Sequence, residues 1–465
     1  MKKSKQLLKL LACVLVLVLL VACAAPAADD PPPQGDQPAD TPATGDPPAA
    51  DPSAVTPPDG SDPVEITVSW WGGAARHERT LEMIDLYTTA NPHVSVLHFY
   101  AGFGDYFTQM ATWAAANDLP DAMLVQLLHL GNYADMGFIR PIQPYVDAGL
   151  IDLSNFTAGA LAGSSIGGQL FGATFGDTAS VIAFNAGILQ AAGAPFPTDL
   201  MSISDYNELL ISIVPMLPDG IFVSEFIIGE QFMELFMRQH GVYGLVTEDN
   251  SAVAFTPDML AAFFQWYIDL YAAGVFGPRE FIFDYQGLGW GDTPMAHGQI
   301  AIWGTNANQG KIVQAQLDDE IRMVRPPVVD NAAVRHAEVI VCSTWTISTG
   351  SSLPEEAARF ISFMINDWEA QRIYNMDIGV PGSTVIQEQL IANLDLNDPI
   401  DILIAREIEI LVDIGNTAAP FDARPPGFPL AHSEIERLLF AVVFDNMPID
   451  AAVDEFFSFM SVMLG

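Results

Sequence analysis

The chain has 465 residues, half of them hydrophobic, which is too long for one ordinary domain and rich enough in apolar side chains to exclude global disorder. Its 57 acidic against 18 basic residues leave a formal charge of −39, and a surface of that sign repels phosphate, so nucleic acid is excluded as an expected partner.

The first ten positions carry Lys2, Lys3, Lys5 and Lys9, and a nearly unbroken apolar stretch follows from Leu10 to Val21. That stretch is short for a membrane span but suits the h-region of a signal peptide, so residues 1–22 are expected to be cleaved. It ends in Leu20-Val21-Ala22-Cys23, which resembles a bacterial lipobox. The resemblance implies that Cys23 becomes the first residue and carries lipid, with two acyl chains giving a stable hold on the bilayer. From Ala24 to Pro63 the composition turns to Ala, Pro, Asp, Gly and Thr without a Lys or Arg. Such a segment cannot bury enough surface to fold, and residues 23–63 are read as a lipidated cysteine and a disordered tether reaching up to ~100 Å. Cys342 is then alone in the mature chain, so no internal disulfide is expected.

The folded part opens with Val64-Glu65-Ile66-Thr67-Val68-Ser69-Trp70, alternating as a strand does, and Gly72-Gly73 break it. A helix follows, with Leu81, Ile84 and Tyr87 or Thr88 on one face, closing before Asn91-Pro92. Val94 to Leu97 reads as a second strand, so the unit is βαβ and the sheet is expected to be parallel. Asp121 to Val125 reads as a third, buried strand. Thr256-Pro257 should open a helix that Gly274 closes, and Ser352-Leu353-Pro354-Glu355 has capping-box spacing before another.

Several ordered pieces resemble the family 1 extracellular solute-binding proteins, the group that includes maltose-binding protein. They are Ile66 to Gly73, Leu86 to Val96, Phe103-Gly104-Asp105-Tyr106 with Leu119-Pro120-Asp121-Ala122, and Gly137 to Ile142. Gly168 to Phe175, Ala183-Phe184-Asn185, Glu355 to Ile361 and Gly379-Val380-Pro381-Gly382 continue the series. The resemblance implies an α/β fold of two periplasmic-binding-protein-like lobes, joined by hinge crossovers around an interlobe ligand cleft. The first lobe is expected from 64–184 with about 305–350, and the second from 185–304 with about 351–465. It further implies the solute-binding component of an ABC importer, held on the outer face of the cell membrane. Such a protein would act as a monomer without a cofactor and deliver a small polar ligand, expected to be a carbohydrate, to a permease. The alternatives from other classes are a secreted carbohydrate-active enzyme and a surface adhesin or scaffold lipoprotein.

A sugar needs aromatic plates and planar carboxylate or amide groups. Trp71 and Gly72 end the first strand, where a cleft would lie; alternation makes one of Trp70 and Trp71 core and leaves Trp71 as the expected plate. Gln126 follows the third strand. Asp177 and Thr178 precede the expected crossover and fall where the family contacts ligand, although Gly176-Asp177-Thr178 also reads as a plain turn. Glu230 is either a ligand group or a carboxylate at a helix N-terminus. In the run Ile300 to Asn306, Trp303 and Asn306 are candidates, although the family's later tryptophan is replaced by Asn306. Trp290, Trp345 and Arg424 complete the set.

Enzyme signatures are incomplete. Gly163-Ser164-Ser165-Ile166-Gly167 matches G-x-S-x-G without the preceding buried strand of a nucleophile elbow. Gly304 to Lys311 has one residue too many for a phosphate loop, and Ile312 stands where a hydroxyl should hold magnesium. The eight histidines show no pair at metal-ligand spacing, so no metal and no catalysis are expected.

Overall fold

The computed structural model describes residues 63–226, 230–247, 251–285, 290–332, 338, 340–415 and 428–464. Cys23, the tether and Arg424 lie outside them, as does the side chain of Glu230. Among the described residues no helix is long and apolar enough to cross a membrane.

The expected opening unit is present. Strand β1 (Val64–Trp71) pairs in parallel with β2 (Val94–Ala101), and the helix Ala74–Ala90 connects them. β3 (Ala122–Gln126) joins the other side of β1, again in parallel. After a short hairpin of β4 (Ser165–Ile166) and β5 (Gln169–Leu170), the 14-residue β6 (Gly172–Asn185) begins. β7 (Phe222–Ser224), β8 (Ile300–Asn306), β9 (Ile321–Val324) and β10 (Ile340–Ile347) follow, giving the order β2-β1-β3-β10-β6-β8-β7 with β9 on β6.

β6 belongs to two half-sheets. Residues 172–179 pair with β10, whereas 180–185 pair with β8 and β9. Each half-sheet is covered on both faces. In the first, Ile66, Val68 and Trp70 pack on Phe360, Met364 and Tyr374, while Met123 and Val125 pack on Tyr106, Met110 and Leu130. In the second, Val223 and Ile302 meet Leu209, Phe263 and Phe456, while Val181 and Trp303 meet Val313, Leu403 and Ile410. This is the two-lobed α/β architecture expected, with a crossover strand.

The lobe boundaries differ from expectation in two places. β8 stays with the second lobe to its end at Asn306, and Ala307–Gln314 and Ile321–Val324 follow it there instead of joining the first lobe from about 305, because β8 and β9 find their hydrogen-bond partners on the far half of β6. The helices Pro354–Asn366 and Trp368–Tyr374 return to the first lobe, not the second, because their apolar stripe is buried on β1 and β10. The chain therefore passes between lobes along β6, between β9 and β10, and again between Asn375 and the helix Pro399–Gly415. Two caps behave differently from one another. Thr256 caps its helix through Met259 N, with Gly274 at φ +80° closing it. Ser352 caps nothing: Leu353 is the N-cap, and Pro354 occupies the first turn.

Candidate functional site

The strand register locates the site. Ser343 on β10 lies opposite both Gln126 and Gly176, so Gly176 is level with the C-terminal end of β3. Asn306, the last residue of β8, lies opposite Ser180. The C-terminal ends of β1, β2 and β3 therefore face those of β7 and β8 across residues 177–179 of the shared strand. Ligand sites of open parallel sheets lie beyond strand C-termini, and two such edges confront each other at this crossover.

A bulge between Ser343 and Thr344 leaves Phe175 unpaired and resets the alternation of β6. Asp177 is thereby set directly opposite Cys342. Its backbone is held as well: Asp177 N donates to Val380 O at 2.8 Å, and Val380 N to Asp177 O at 2.7 Å. Gly379, at φ +134°, crosses so near that a Cβ there would lie 2.4 Å from Asp177 O. Only glycine fits, which gives the Gly379-Val380-Pro381-Gly382 motif its physical meaning. The Asp177 Oδ1 atom is closed off from solvent without a hydrogen-bond partner. Burial pushes the carboxyl up to about 7, although the Cys342 thiol opposes this, and burial raises that thiol itself well above its usual range.

Behind these edges runs a chain of buried ions. Arg76 Nε donates to Asp377 Oδ1 at 2.5 Å, and Arg79 reaches Oδ2 at 3.0 Å. Burial pushes the Asp377 carboxyl up, but Arg76, Arg79 and Lys311 together hold it below its ordinary range. Asn308 Nδ2 donates to Asp377 O at 3.2 Å, and Lys311 Nζ to Met376 O at 2.6 Å. Lys311, the one lysine beyond position 9 in the sequence, also lies 3.5 Å from the fully buried Glu407. The helix Ala307–Gln314 of the second lobe is thus tied to the 376–377 turn of the first. Met376 holds a left-handed φ of 55° there, a costly conformation for a residue with a side chain.

The candidates separate accordingly. Trp70 is fully buried and Trp71 only partly, as the alternation requires. Arg76 stacks its guanidinium 4.5 Å over the Trp71 ring, Phe103 abuts it edge-on at 4.9 Å, and Trp71 Nε1 has no partner. Gly72 leaves room for Arg76, since a Cβ there would lie 2.5 Å from its Cδ. Gln126 sits at the edge with an unpartnered Oε1. Thr178 is at the crossover, but its hydroxyl is committed, donating to Glu407 Oε1 at 3.0 Å and accepting from Asn308 N at 3.2 Å. Asn306 ends β8 and caps the next helix, where Gln309 Oε1 accepts from Asn306 N at 3.3 Å.

Two tryptophan candidates are corrected. Trp303, 2% exposed, lies opposite Ala183, three residues in from the edge, and Trp345, 0% exposed, lies between Leu124 and Ala173. Both are core. Trp290 is exposed and leans on the core residue Trp303 at 6.1 Å. Ser164, the would-be nucleophile, is fully buried and bonded to Thr174 and Thr344. Lys311 points into its ion pair, not into a phosphate loop. Among the described residues no group of three or more His, Cys, Asp or Glu is placed to hold a metal.

Sequence reading missed Glu225 and Asn308. Glu225 follows β7 by one residue, with a buried, unpartnered Oε2 and a carboxyl that burial pushes up to about 7. The three-residue strand that positions it carries too little periodicity to be recognised.

The raised Asp177 carboxyl has a consequence for stability. An unfolded Asp releases its proton near pH 4, whereas the folded one keeps it to about 7. The folded state therefore holds the extra proton in that window, and stability falls as pH rises through it. Asp177→Asn should gain stability over the parent at pH 8 and lose that advantage by pH 4, as read from denaturation midpoints. A pH-independent difference would show that the carboxyl is already solvated.

A family model described as "Bacterial extracellular solute-binding protein" matches residues 82–391. Among solved structures, one similar chain is an extracellular solute-binding protein family 1 from Alicyclobacillus acidocaldarius, at 19% identity and TM-score 0.65, covering 87% of this chain and 99% of that one. A periplasmic oligogalacturonide-binding protein from Yersinia enterocolitica, in complex with saturated digalacturonic acid, shares 19% identity at TM-score 0.73, with 86% and 98% covered. An ABC substrate-binding protein from Listeria monocytogenes, in complex with cycloalternan, shares 18% at TM-score 0.73, with 87% and 100% covered. At such identities the structural likeness shows the fold.

Proposed function

This chain belongs to the bacterial extracellular solute-binding proteins, and we propose from that premise that it captures a saccharide between its two lobes for an ABC permease. The observation that carries the reading is the register: two sets of strand C-termini confront each other across residues 177–179 of β6, with unpartnered polar atoms at both edges. A ligand that bridges both edges binds the closed form better than the open one, and so drives closure. The digalacturonic acid and cycloalternan held by two fold neighbours support the ligand class. The protein is a binder, not a catalyst. It works as a monomer on the outer face of the membrane, held by acyl chains on Cys23 after removal of residues 1–22.

A thermal-shift screen against a solute library, followed by scattering on any ligand found, tests this reading. A saccharide at 100 times its dissociation constant should add roughly 2.7 kcal/mol of stability and shrink the radius of gyration. Turnover of the saccharide, or stabilisation without any change in dimensions, would overturn it. Intact-mass measurement of native protein should show a diacylglyceryl modification at Cys23; a product beginning at Met1 would refute the anchor.

A further inference from the structure

The unpartnered buried atoms at the facing edges have a common character. Gln126 Oε1, Asp177 Oδ1, Glu225 Oε2 and Asn308 Oδ1 are acceptors, Trp71 Nε1 is a donor, and the Ser180 hydroxyl can take either part. The two carboxylates can only accept when ionised. Asn308 is oriented by its own donation from Nδ2 to Asp377 O, which leaves its oxygen for something else. The cations nearby are committed: Arg76 and Arg79 to Asp377, and Lys311 to Met376 O and Glu407.

Buried acceptors without partners are costly until a ligand supplies donors. A hydroxyl or an ammonium does so. A ligand carboxylate brings no donor when ionised, and it adds a like charge beside Asp177 or Glu225, the kind of mismatch by which sites reject partners. We propose that this site discriminates by charge: it takes neutral or amino saccharides, whose hydroxyl or ammonium groups donate to Asp177 and Glu225, and it rejects uronic acids. The proposal rests on the saccharide reading above and narrows it. The fold is shared with a protein solved with digalacturonic acid, so the exclusion would come from these side chains and not from the architecture. The elevated carboxyl ranges of both residues agree with groups left waiting for a donor.

The test uses the purified full chain and three matched sets of mono- to tetrasaccharides: hexoses, 2-amino-2-deoxyhexoses and hexuronic acids. Thermal shift finds the hits, and calorimetry at pH 8 measures each hit against its counterparts in the other sets. Hits are expected among the neutral or amino sets, with the uronate counterpart at least tenfold weaker. Asp177→Asn and Glu225→Gln should each weaken the hit about tenfold or more and narrow its lead over the uronate. A uronate that binds as well as its neutral counterpart overturns the proposal, as does an unchanged ratio in both variants. Silence from all three sets refutes the saccharide reading itself, and the charge selection with it. Apo denaturation midpoints of both variants verify that the fold is retained.

Discussion

Asp377→Ala should cost the unliganded protein about 3–5 kcal/mol, the range for removing one partner of a buried ion pair. Asp377 is 9% exposed and accepts from Arg76, itself 7% exposed, at 2.5 Å. Its removal leaves a guanidinium buried without a counter-charge, and Arg79 loses the same partner. The penalty comes from the stranded charge more than from the lost attraction. The double variant Arg76→Met with Asp377→Leu, which leaves only the solvent-reachable Arg79 without its partner, should therefore recover most of the loss. Chemical denaturation of both variants measures this, and a loss below about 1 kcal/mol in the single variant would place the pair in solvent. The sign with pH is set as well. The folded Asp377 carboxyl lies below its ordinary range, so its contribution is complete above the unfolded value near pH 4 and drains away as pH falls further.

Trp71→Ala and Trp345→Ala should fail in opposite ways. Trp345 is fully buried against Phe175 and Phe360, at ring distances of 5.8 Å each. Its truncation leaves a cavity in the first lobe and should cost about 3–5 kcal/mol of stability. Trp71 is at the strand end with one face covered by Arg76 and its N–H unpartnered. Its loss removes a modest cation–π contact, about 1 kcal/mol, but takes an aromatic anchor out of the site. An anchor of that kind is worth about 2 kcal/mol or more, roughly thirtyfold in affinity. Denaturation of the apo proteins, with calorimetry against the ligand found by screening, separates the two variants. Full affinity in Trp71→Ala would remove this residue from the site, and an apo loss as large as that of Trp345→Ala would make it core.

Much of the molecule was legible because local rules suffice for it. Alternation over Val64–Trp70, the glycines at 72 and 73, and Asn91-Pro92 fall at the boundaries of β1 and its helix, since strand and helix periods are properties of neighbours in sequence. The sequence singles out Asp177 as preceding a crossover expected at Phe184-Asn185, whereas the strand changes partners between Ala179 and Ser180; it singles out Trp71 by its parity with Trp70, which the burial of Trp70 matches. Thr178 lies at the strand crossover, but the partners of its hydroxyl, Glu407 and Asn308, come from more than a hundred residues away and are not visible from its neighbours in sequence.

The sequence by itself determined the parallel opening unit, the third strand, the helices after Thr256 and Pro354, the composition change at Pro63 and the family to which the folded part belongs. Each of these depends on residue types at short range, where propensity and patterning act. Tertiary structure alone decided that Trp303 and Trp345 are core, because parity assigns a face without saying which helix covers it. It decided that 354–374 returns to the first lobe, because an apolar stripe records the need for a partner but not its identity. It also gave Lys311 its place. Nothing in the sequence says where this lysine sits, and only the meeting of distant segments at Met376, Asp377 and Glu407 makes a buried site able to hold it.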